Sequence, residues 1–279
     1  MTISLSVFLL VLFAALLHAT WNALIKSGGS TELDTVALTI AAALLAAIAL
    51  PFATQPAPAS WPWLAASVVL HVAYFLMLGA VYRHGDLSHV YPLMRGIAPL
   101  LVALTGAVCL GESLSVLVWM GITLICAGIL LPVLRHPAVL RERATPLALA
   151  IAAVIASYTL VDGYGTRASG NSFSYCMWMF LLEAPPIVLV AWFYQRRRVW
   201  EHVRLKWRRA VVGGFCVLGS YSIALWAMVS APIAAVAALR ETSVLFAAII
   251  GATLLKERLG AWRIAGAATI AVGMAMLRL

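Results

Sequence analysis

Residues 95–128 read RGIAPLLVALTGAVCLGESLSVLVWMGITLICAG, and residues 240–273 read RETSVLFAAIIGATLLKERLGAWRIAGAATIAVG. Aligned at this offset of 145, the two segments share eleven identities in 34 positions. Richness in alanine and leucine explains part of the match, but an arginine, a glutamate and three glycines also coincide. These pairs are Arg95/Arg240, Glu112/Glu257, Gly106/Gly251, Gly121/Gly266 and Gly128/Gly273. The match predicts a chain made of two related halves.

The composition is that of an integral membrane protein. Of 279 residues, 64% are hydrophobic and 10% are charged, and the mean hydropathy is +1.00. An average soluble domain carries about 25% charged residues. A water-soluble chain of this size has no interior large enough for so much apolar surface, so the composition excludes soluble, disordered and disulfide-scaffold classes.

Ten apolar runs approach the roughly 20 residues that a helix needs to cross a bilayer. They cover about 3–26, 34–53, 61–82, 86–109, 114–134, 146–167, 172–195, 209–229, 232–254 and 261–278. Their connections are short apart from the basic stretch around residues 196–208. We therefore predict an all-α integral membrane protein with ten transmembrane helices and no room for a soluble domain.

The duplication divides these helices into two five-helix repeats, at residues 1–140 and 141–279. Weaker similarity between residues 18–27 and 158–167, near offset 140, extends the match to the first helix of each repeat. Because five is odd, the second repeat enters the membrane from the opposite side. Inverted repeats are typical of secondary transporters, whose substrate site lies near the midplane between the repeats.

Basic residues predict the orientation in the membrane. Connections on the side opposite the N-terminus carry 15 Lys and Arg residues, seven of them between 196 and 209, whereas the N-terminal side carries two, Arg167 and Arg278. Basic residues concentrate on the cytoplasmic side of membrane proteins. We predict a bacterial-type inner (plasma) membrane protein with both termini outside the cytoplasm.

The remaining sequence features exclude several function classes. The net charge is +9, and most of the basic residues lie at helix ends, where they can contact lipid headgroups. No nucleic acid partner is therefore expected. The four cysteines (Cys109, Cys126, Cys176 and Cys216) form no CxxC pair and are expected to pack in helices. No P-loop, GxSxG or HExxH motif occurs. We expect no cofactor, no metal and no catalytic residue.

Two motifs resemble those of a known family. His18, Ala19, Trp21, Asn22 and Lys26 form a segment similar to the opening of many EamA-type transporters. An apolar helix ending in Gly-Glu-Ser-Leu at 111–114 is matched by Lys-Glu-Arg-Leu at 256–259, each followed by a glycine-bearing helix. With the 5+5 duplication, the whole chain resembles the drug/metabolite transporter superfamily.

The resemblance implies a transporter of small molecules. Bacterial exporters of aromatic and other hydrophobic amino acids are similar to this chain in size and aromatic content. Many members are described with cytoplasmic termini, which is opposite to the orientation that the basic residues predict here.

Arg95 and Arg240 lie inside the fourth and ninth predicted helices, at equivalent places in the two repeats. Charged residues at membrane depth are costly and are generally functional. A guanidinium can hold a substrate carboxylate through two hydrogen bonds. Alternatively, each arginine pairs with a neighbour such as Glu241 or Glu183 and stabilises the bundle. Because Glu241 follows Arg240 directly, we expect Arg240 to be the structural member and Arg95 the cavity residue.

The third helix presents a polar and aromatic face. Spacings of three and four residues place His71, Tyr74, Leu78 and Tyr82 on one side of it. Such groups can stack on a flat substrate and donate hydrogen bonds to it. The alternative is ordinary helix packing, with Tyr82 as an anchor at the membrane interface.

Three further helices supply candidate binding residues. These residues are His18, Trp21 and Asn22 on the first helix, Tyr158 and Asp162 on the sixth, and Tyr221 on the eighth. A buried histidine or aspartate could also carry a coupled proton. The alternative for Asp162 is a hydrated position near a helix end.

Prolines accompany two of the buried charges. Pro92 and Pro99 flank Arg95, which predicts a bent or broken fourth helix. Glu183 precedes Pro185 and Pro186, which predicts a kink with a polar function, or a local role in which the carboxylate satisfies backbone N–H groups that the prolines free.

These observations predict a secondary transporter that exports amino acids, aromatic and hydrophobic ones first, by alternating access around a central cavity. Within transport, the alternative is export of another small metabolite or a drug-like cation. Outside transport, the alternatives are an intramembrane enzyme or a structural subunit. The expected partners are the small-molecule substrate and membrane lipid, and we expect a monomer.

Overall fold

A computed structural model describes residues 3–84, 87–135, 138–139, 142–253 and 260–278. Its helices are α1 Leu5–Lys26, α2 Thr31–Ala49, α3 Trp61–His84, α4 Leu87–Cys109, α5 Val116–Leu134, α6 Thr145–Ser169, α7 Ser172–Ser230, α8 Ile233–Arg240, α9 Ser243–Thr253 and α10 Ala261–Arg278. Two short 3-10 turns, Leu50–Phe52 and Pro58–Ser60, lie between α2 and α3. The described residues contain no β-strand.

The prediction of an all-helical membrane protein is confirmed. Within the described residues, nine helical segments are long and apolar enough to cross a membrane. The tenth predicted run forms α10, an 18-residue helix that carries Arg263 and Arg278 near its ends.

The connection between α6 and α7 is tight because of two residues. Gly170 has a φ of +69°, a left-handed conformation that glycine adopts without steric cost, and it ends α6. Asn171 then caps α7, since its Oδ1 accepts a hydrogen bond from Ser174 N at 3.1 Å. The chain therefore reverses direction within a few residues.

The α7 helix contains both the seventh and the eighth predicted spans. It runs over 59 residues, yet Ser222 Oγ donates to Cys176 Sγ at 3.3 Å, and the ring centroids of Phe180 and Tyr221 lie 6.0 Å apart. In a straight helix, Phe180 and Tyr221 would lie about 60 Å apart. The α7 helix therefore doubles back, with an N-terminal arm (Ser172–Phe193) and a C-terminal arm (Arg198–Ser230) that are each able to span the membrane.

The ninth predicted span is broken near its middle. The α8 helix ends at Arg240, α9 begins at Ser243, and Glu241 and Thr242 form a turn between them. In membrane transporters, discontinuous helices occur where the backbone lines a cavity or a ligand site. The break therefore marks this part of the second repeat as a candidate site.

Of the bent or broken fourth helix predicted from the prolines, the break is wrong, and the bend stays a prediction. The α4 helix continues from Leu87 to Cys109 through both Pro92 and Pro99. A proline removes one backbone hydrogen bond, and packing against neighbouring helices can compensate for that loss inside a membrane protein.

The α5 and α10 helices pack along two glycine pairs. A Cβ atom on Gly121 would lie 2.9 Å from the carbonyl oxygen of Gly273, and one on Gly128 would lie 2.7 Å from that of Gly266. Only residues without a side chain allow the two backbones to come this close. These glycines, which coincide in the two repeats, are thus points of close contact between α5 and α10.

Equivalent helices of the two halves pack in equivalent ways. The α4 helix packs against α6, and its counterpart in the second half, α8 with α9, packs against α1. Likewise, α3 packs against α6, and α7, whose C-terminal arm is the counterpart of α3, packs against α1. This exchange is expected of inverted repeats, and it surrounds the centre of the bundle with helices from both.

The helix ends define two faces of the bundle. We call the end at which α1 begins the N-terminal face, and the end at which α1 finishes the basic face. On the basic face, His202 Nε2 lies 2.9 Å from Oδ1 of the buried Asp34. Lys206 and Arg209 donate to backbone carbonyls at Gly28 and Leu24. These contacts hold the start of the C-terminal arm of α7 against the α1–α2 connection.

A pair of C-terminal fusions tests the orientation. We expect alkaline phosphatase fused after Leu279 to be active and a fluorescent protein fused there to be dark, because the excess of basic residues places the basic face in the cytoplasm. Fusions after Glu201, which lies on the basic face, are the control and should give the opposite pair of results. A bright fluorescent protein after Leu279, with inactive phosphatase there, would reverse the orientation.

Candidate functional site

A buried ion pair joins the two repeats at the centre of the bundle. Arg95 Nε of α4 lies 2.8 Å from Glu241 Oε2, in the turn between α8 and α9. Only 8% of Arg95 and 5% of Glu241 is exposed. Each charge offsets the cost of burying the other, so the loss of either one would leave an uncompensated charge. The ion pair thus ties the break in the ninth span to the first repeat.

This pairing differs from the one that the sequence suggested for the two arginines, while Arg95 lines the central cavity together with Arg240. The expectation that Arg240 pairs with Glu241 is wrong, since Arg95 occupies that position. Successive residues of a helix point about 100° apart, so neighbours in sequence do not face each other. Glu241 consequently faces α4, and Arg240 faces the C-terminal arm of α7.

Arg240 packs on an aromatic ring and retains free hydrogen-bonding capacity. Its Cζ atom lies 4.9 Å from the ring centroid of Tyr221, within the range of a cation–π interaction. Among the described residues, the buried Nε of Arg240 has no hydrogen-bond partner. A buried donor without an acceptor is costly. The guanidinium is therefore well placed to bind an anionic group.

Tyr158 of α6 lies at the centre of an aromatic group. Its ring stacks on His71 at 4.4 Å with an angle of 27°, and it meets Tyr74 edge-on at 5.9 Å. His71 also meets Tyr221 edge-on at 6.1 Å. His71 and Tyr74 therefore share a face of α3, as their spacing predicts, while their role in binding stays a prediction.

Asp162 of α6 is completely buried and hydrogen-bonded by tyrosines. The hydroxyl of Tyr221 donates to Oδ2, and the hydroxyl of Tyr175 donates to Oδ1 at 3.2 Å. Ser67 is a further hydrogen-bond partner. The alternative of a hydrated group near a helix end is wrong, because α6 continues to Ser169 and Asp162 has no exposed surface. Asp162 instead fixes the ring on which Arg240 packs.

The α1 helix brings one of its three candidates to the ion pair. Arg95 Nη2 lies 3.4 Å from His18 Nε2, and the His18 ring meets Trp21 edge-on at 5.0 Å. Asn22 donates to the carbonyl of His18 at 2.8 Å, within its own helix. His18 therefore lies beside Arg95, whereas the amide of Asn22 is satisfied locally.

The other predicted positions lie away from this centre or outside the described residues. Leu78 is half-buried against an apolar cluster formed with α4 and α6. The side chain of Tyr82 and the Lys-Glu-Arg-Leu motif at 256–259 lie outside the described residues.

A small cavity lies between the two arginines. Its polar lining includes Arg95, Tyr158, Arg240 and Glu241, and its apolar lining includes Pro99. The volume of about 10 Å³ is about the room that one water molecule needs. The structure is therefore closed around the site, and any larger ligand requires the helices to separate.

The N-terminal face carries an ion pair that the sequence did not reveal. Arg167 Nη1 lies 3.1 Å from Glu112 Oε1, and Arg167 also donates to the carbonyls of Met228 and Ala231 at 2.8 and 3.0 Å. The repeat singles out Glu112, but its partner lies 55 positions away and only the fold brings them together. Arg167 thus connects α6, the end of α7 and the α4–α5 connection.

Comparison with known proteins identifies the family. None of the curated proteins matches the chain. One solved structure, described only as the crystal structure of a protein, is 17% identical and superposes with a TM-score of 0.75 over 97% of this chain and 96% of that one. At this identity the likeness shows the fold alone. The sequence model of the EamA-like transporter family matches residues 5–134 and again residues 143–279. The chain therefore belongs to the EamA-like transporter family, a family of small-molecule transporters in the drug/metabolite transporter superfamily.

Proposed function

We propose that the chain is a secondary transporter of the inner membrane that exports amino acids, aromatic and hydrophobic ones first. Two five-helix repeats, at 1–140 and 141–279, would alternate the access of a central cavity between the membrane faces. The observation that carries the proposal is Arg240, a buried guanidinium on the Tyr221 ring whose Nε has no partner among the described residues. This guanidinium can bind the carboxylate of a substrate.

The surroundings of Arg240 match an aromatic or aliphatic side chain. Val102 and Ile155 contribute apolar surface to the cavity, and Tyr158 contributes a ring. Aromatic pairs prefer offset or edge-on arrangements, and they contribute beyond the area that they bury. An amphipathic molecule with one carboxylate would satisfy both the guanidinium and these walls.

Contacts at both faces support alternating access. Asp34 with His202 holds the basic face, and Glu112 with Arg167 holds the N-terminal face. When the contacts at both faces are formed, the cavity is closed. Breaking one set at a time would open the cavity to one side only, as a transporter without a continuous pore requires.

Replacing Arg240 with glutamine tests the proposal. Glutamine keeps much of the bulk but removes the charge, and a hydrogen bond to a charged group is typically worth about 1.5–3 kcal/mol. We expect the apparent affinity for L-phenylalanine in proteoliposome counterflow to fall about 10- to 150-fold. The matched control is Arg208→Gln, since Arg208 also packs on an aromatic ring, Trp207, but far from the cavity.

Unchanged phenylalanine transport by folded Arg240→Gln protein would contradict a carboxylate-binding role for Arg240. Absence of counterflow by the wild-type protein with every amino acid tested would contradict the substrate assignment itself.

Export of drug-like cations is the second candidate. The buried carboxylates of Asp162 and Glu183 favour it, since buried acids can compensate a cationic substrate. The tyrosine hydroxyls already use both oxygens of Asp162, which weakens this alternative. Counterflow of a lipophilic quaternary ammonium ion, without counterflow of phenylalanine, would replace the amino acid proposal with this one.

A further inference from the structure

Glu183 is a buried acid that the contacts described so far leave unused. It lies in the N-terminal arm of α7 and is 6% exposed. Its Oε2 is buried and has no hydrogen-bond partner among the residues that the structure describes. Burying an ionised carboxylate without partners is very costly. The molecule therefore keeps an unsatisfied acceptor at membrane depth.

The carboxylate of Glu183 lies on the interior face of α7. Cys176, Phe180 and Glu183 are spaced by four and three residues, which places them on one side of the helix. Cys176 accepts a hydrogen bond from Ser222, and the ring of Phe180 contacts Tyr221. Since both neighbours on this side face the C-terminal arm of the same helix, Glu183 faces the interior as well. It also interacts electrostatically with His71.

The prolines that follow add further acceptors and no donor. Pro185 and Pro186 have no N–H group, so the carbonyls of Leu181 and Leu182 lose the donors that they would have in a regular helix. An ionised carboxylate only accepts hydrogen bonds. When it is ionised, Glu183 therefore cannot satisfy these carbonyls. This segment therefore lacks a positively charged group that can donate hydrogen bonds.

We propose that Glu183 binds the ammonium group of the substrate. The proposal rests on the amino acid function given above and extends it. The guanidinium of Arg240 and the ring of Phe180 both lie next to the ring of Tyr221, and Phe180 is about one helical turn from Glu183. Arg240 and the helical turn that carries Glu183 are thus both close to Tyr221. A zwitterion supplies a carboxylate to the first and an ammonium to the second, so free α-amino acids are the matching class.

Three probes that differ only in their charged groups test this assignment. L-phenylalanine carries both groups, 3-phenylpropionate carries the carboxylate alone, and phenethylamine carries the ammonium alone. Apparent affinity is measured from the stabilisation of the purified full-length protein by each probe. We expect Glu183→Gln to weaken phenylalanine and phenethylamine about 10- to 150-fold and to leave 3-phenylpropionate unchanged. Arg240→Gln should weaken phenylalanine and 3-phenylpropionate instead.

The control is Glu201→Gln, which removes an exposed glutamate from the same helix and should leave all three affinities unchanged. If Glu183→Gln does not fold, Glu183→Asp keeps the charge on a shorter side chain. It should preserve the order of the three probes, with weaker binding of the two ammonium compounds.

Three results would overturn the assignment. One is a folded Glu183→Gln protein that binds the three probes as the wild type does. Another is an equal loss for all three probes. The third is an altered pH dependence of transport with unchanged probe preference, which would assign Glu183 to a coupled proton. If the wild-type protein binds none of the probes, the amino acid function itself fails, and this result is distinct from the other three.

Discussion

The Arg95→Gln protein is expected to be less stable than the wild type by about 3–5 kcal/mol, the usual cost of removing one partner of a buried ion pair. The reason is that Glu241, 5% exposed, would stay buried and lose the guanidinium 2.8 Å away. The measurement is the thermal unfolding of the purified protein in detergent, together with the yield from membranes. We expect a large fall in both.

The double variant Arg95→Gln with Glu241→Gln separates charge from packing. Removing both charges leaves neither partner of the ion pair stranded, so most of the lost stability should return. Arg135→Gln is the matched control, because Arg135 packs on Trp262 at the basic face and is exposed. If Arg95→Gln unfolds as the wild type does, the ion pair is not structural, and Arg95 stays a candidate substrate-binding residue of the cavity that it lines.

The helices were predictable because each depends on local pattern: the lengths of the apolar runs predict the spans. The glycines at 121, 128, 266 and 273 stand out in the repeat, but only the structure shows that they bring α5 and α10 together. The break between α8 and α9 was not predictable in this way. Its residues, Glu241 and Thr242, carry no proline or glycine signal, and Glu241 is held in place by Arg95 from another repeat.

The candidate site was predictable in residue type but not in pairing. Spacing places His71 and Tyr74 on one face, and both contact Tyr158. Which arginine pairs with Glu241 depends on the direction of side chains in three dimensions, and sequence adjacency suggested the wrong one. Tyr175 was missed as a partner of Asp162 because nothing in its local sequence distinguishes a hydrogen-bonded tyrosine from a packing one.

Asp162→Leu is expected to reduce both stability and transport. Leucine is similar in size but accepts no hydrogen bond, so the hydroxyls of Tyr175 and Tyr221 would lose their acceptor. Each stranded buried donor costs about 1–3 kcal/mol, which gives a total of about 2–6 kcal/mol. Thermal unfolding and phenylalanine counterflow measure the two effects. Asp162→Asn is the conservative comparison, since its amide keeps one acceptor oxygen and should lose less.

When the two tyrosines are changed together with Asp162, we expect the protein to regain stability but not transport. In the triple variant Asp162→Leu, Tyr175→Phe and Tyr221→Phe, no hydroxyl is stranded, so we expect stability to return towards the wild-type value. Transport should stay impaired, because the ring at position 221 would pack below Arg240 without the hydrogen bond that fixes its position. Recovery of both would mean that Asp162 serves only to satisfy buried hydroxyls. Recovery of stability alone would assign Asp162 to positioning Tyr221, and through it the guanidinium of Arg240.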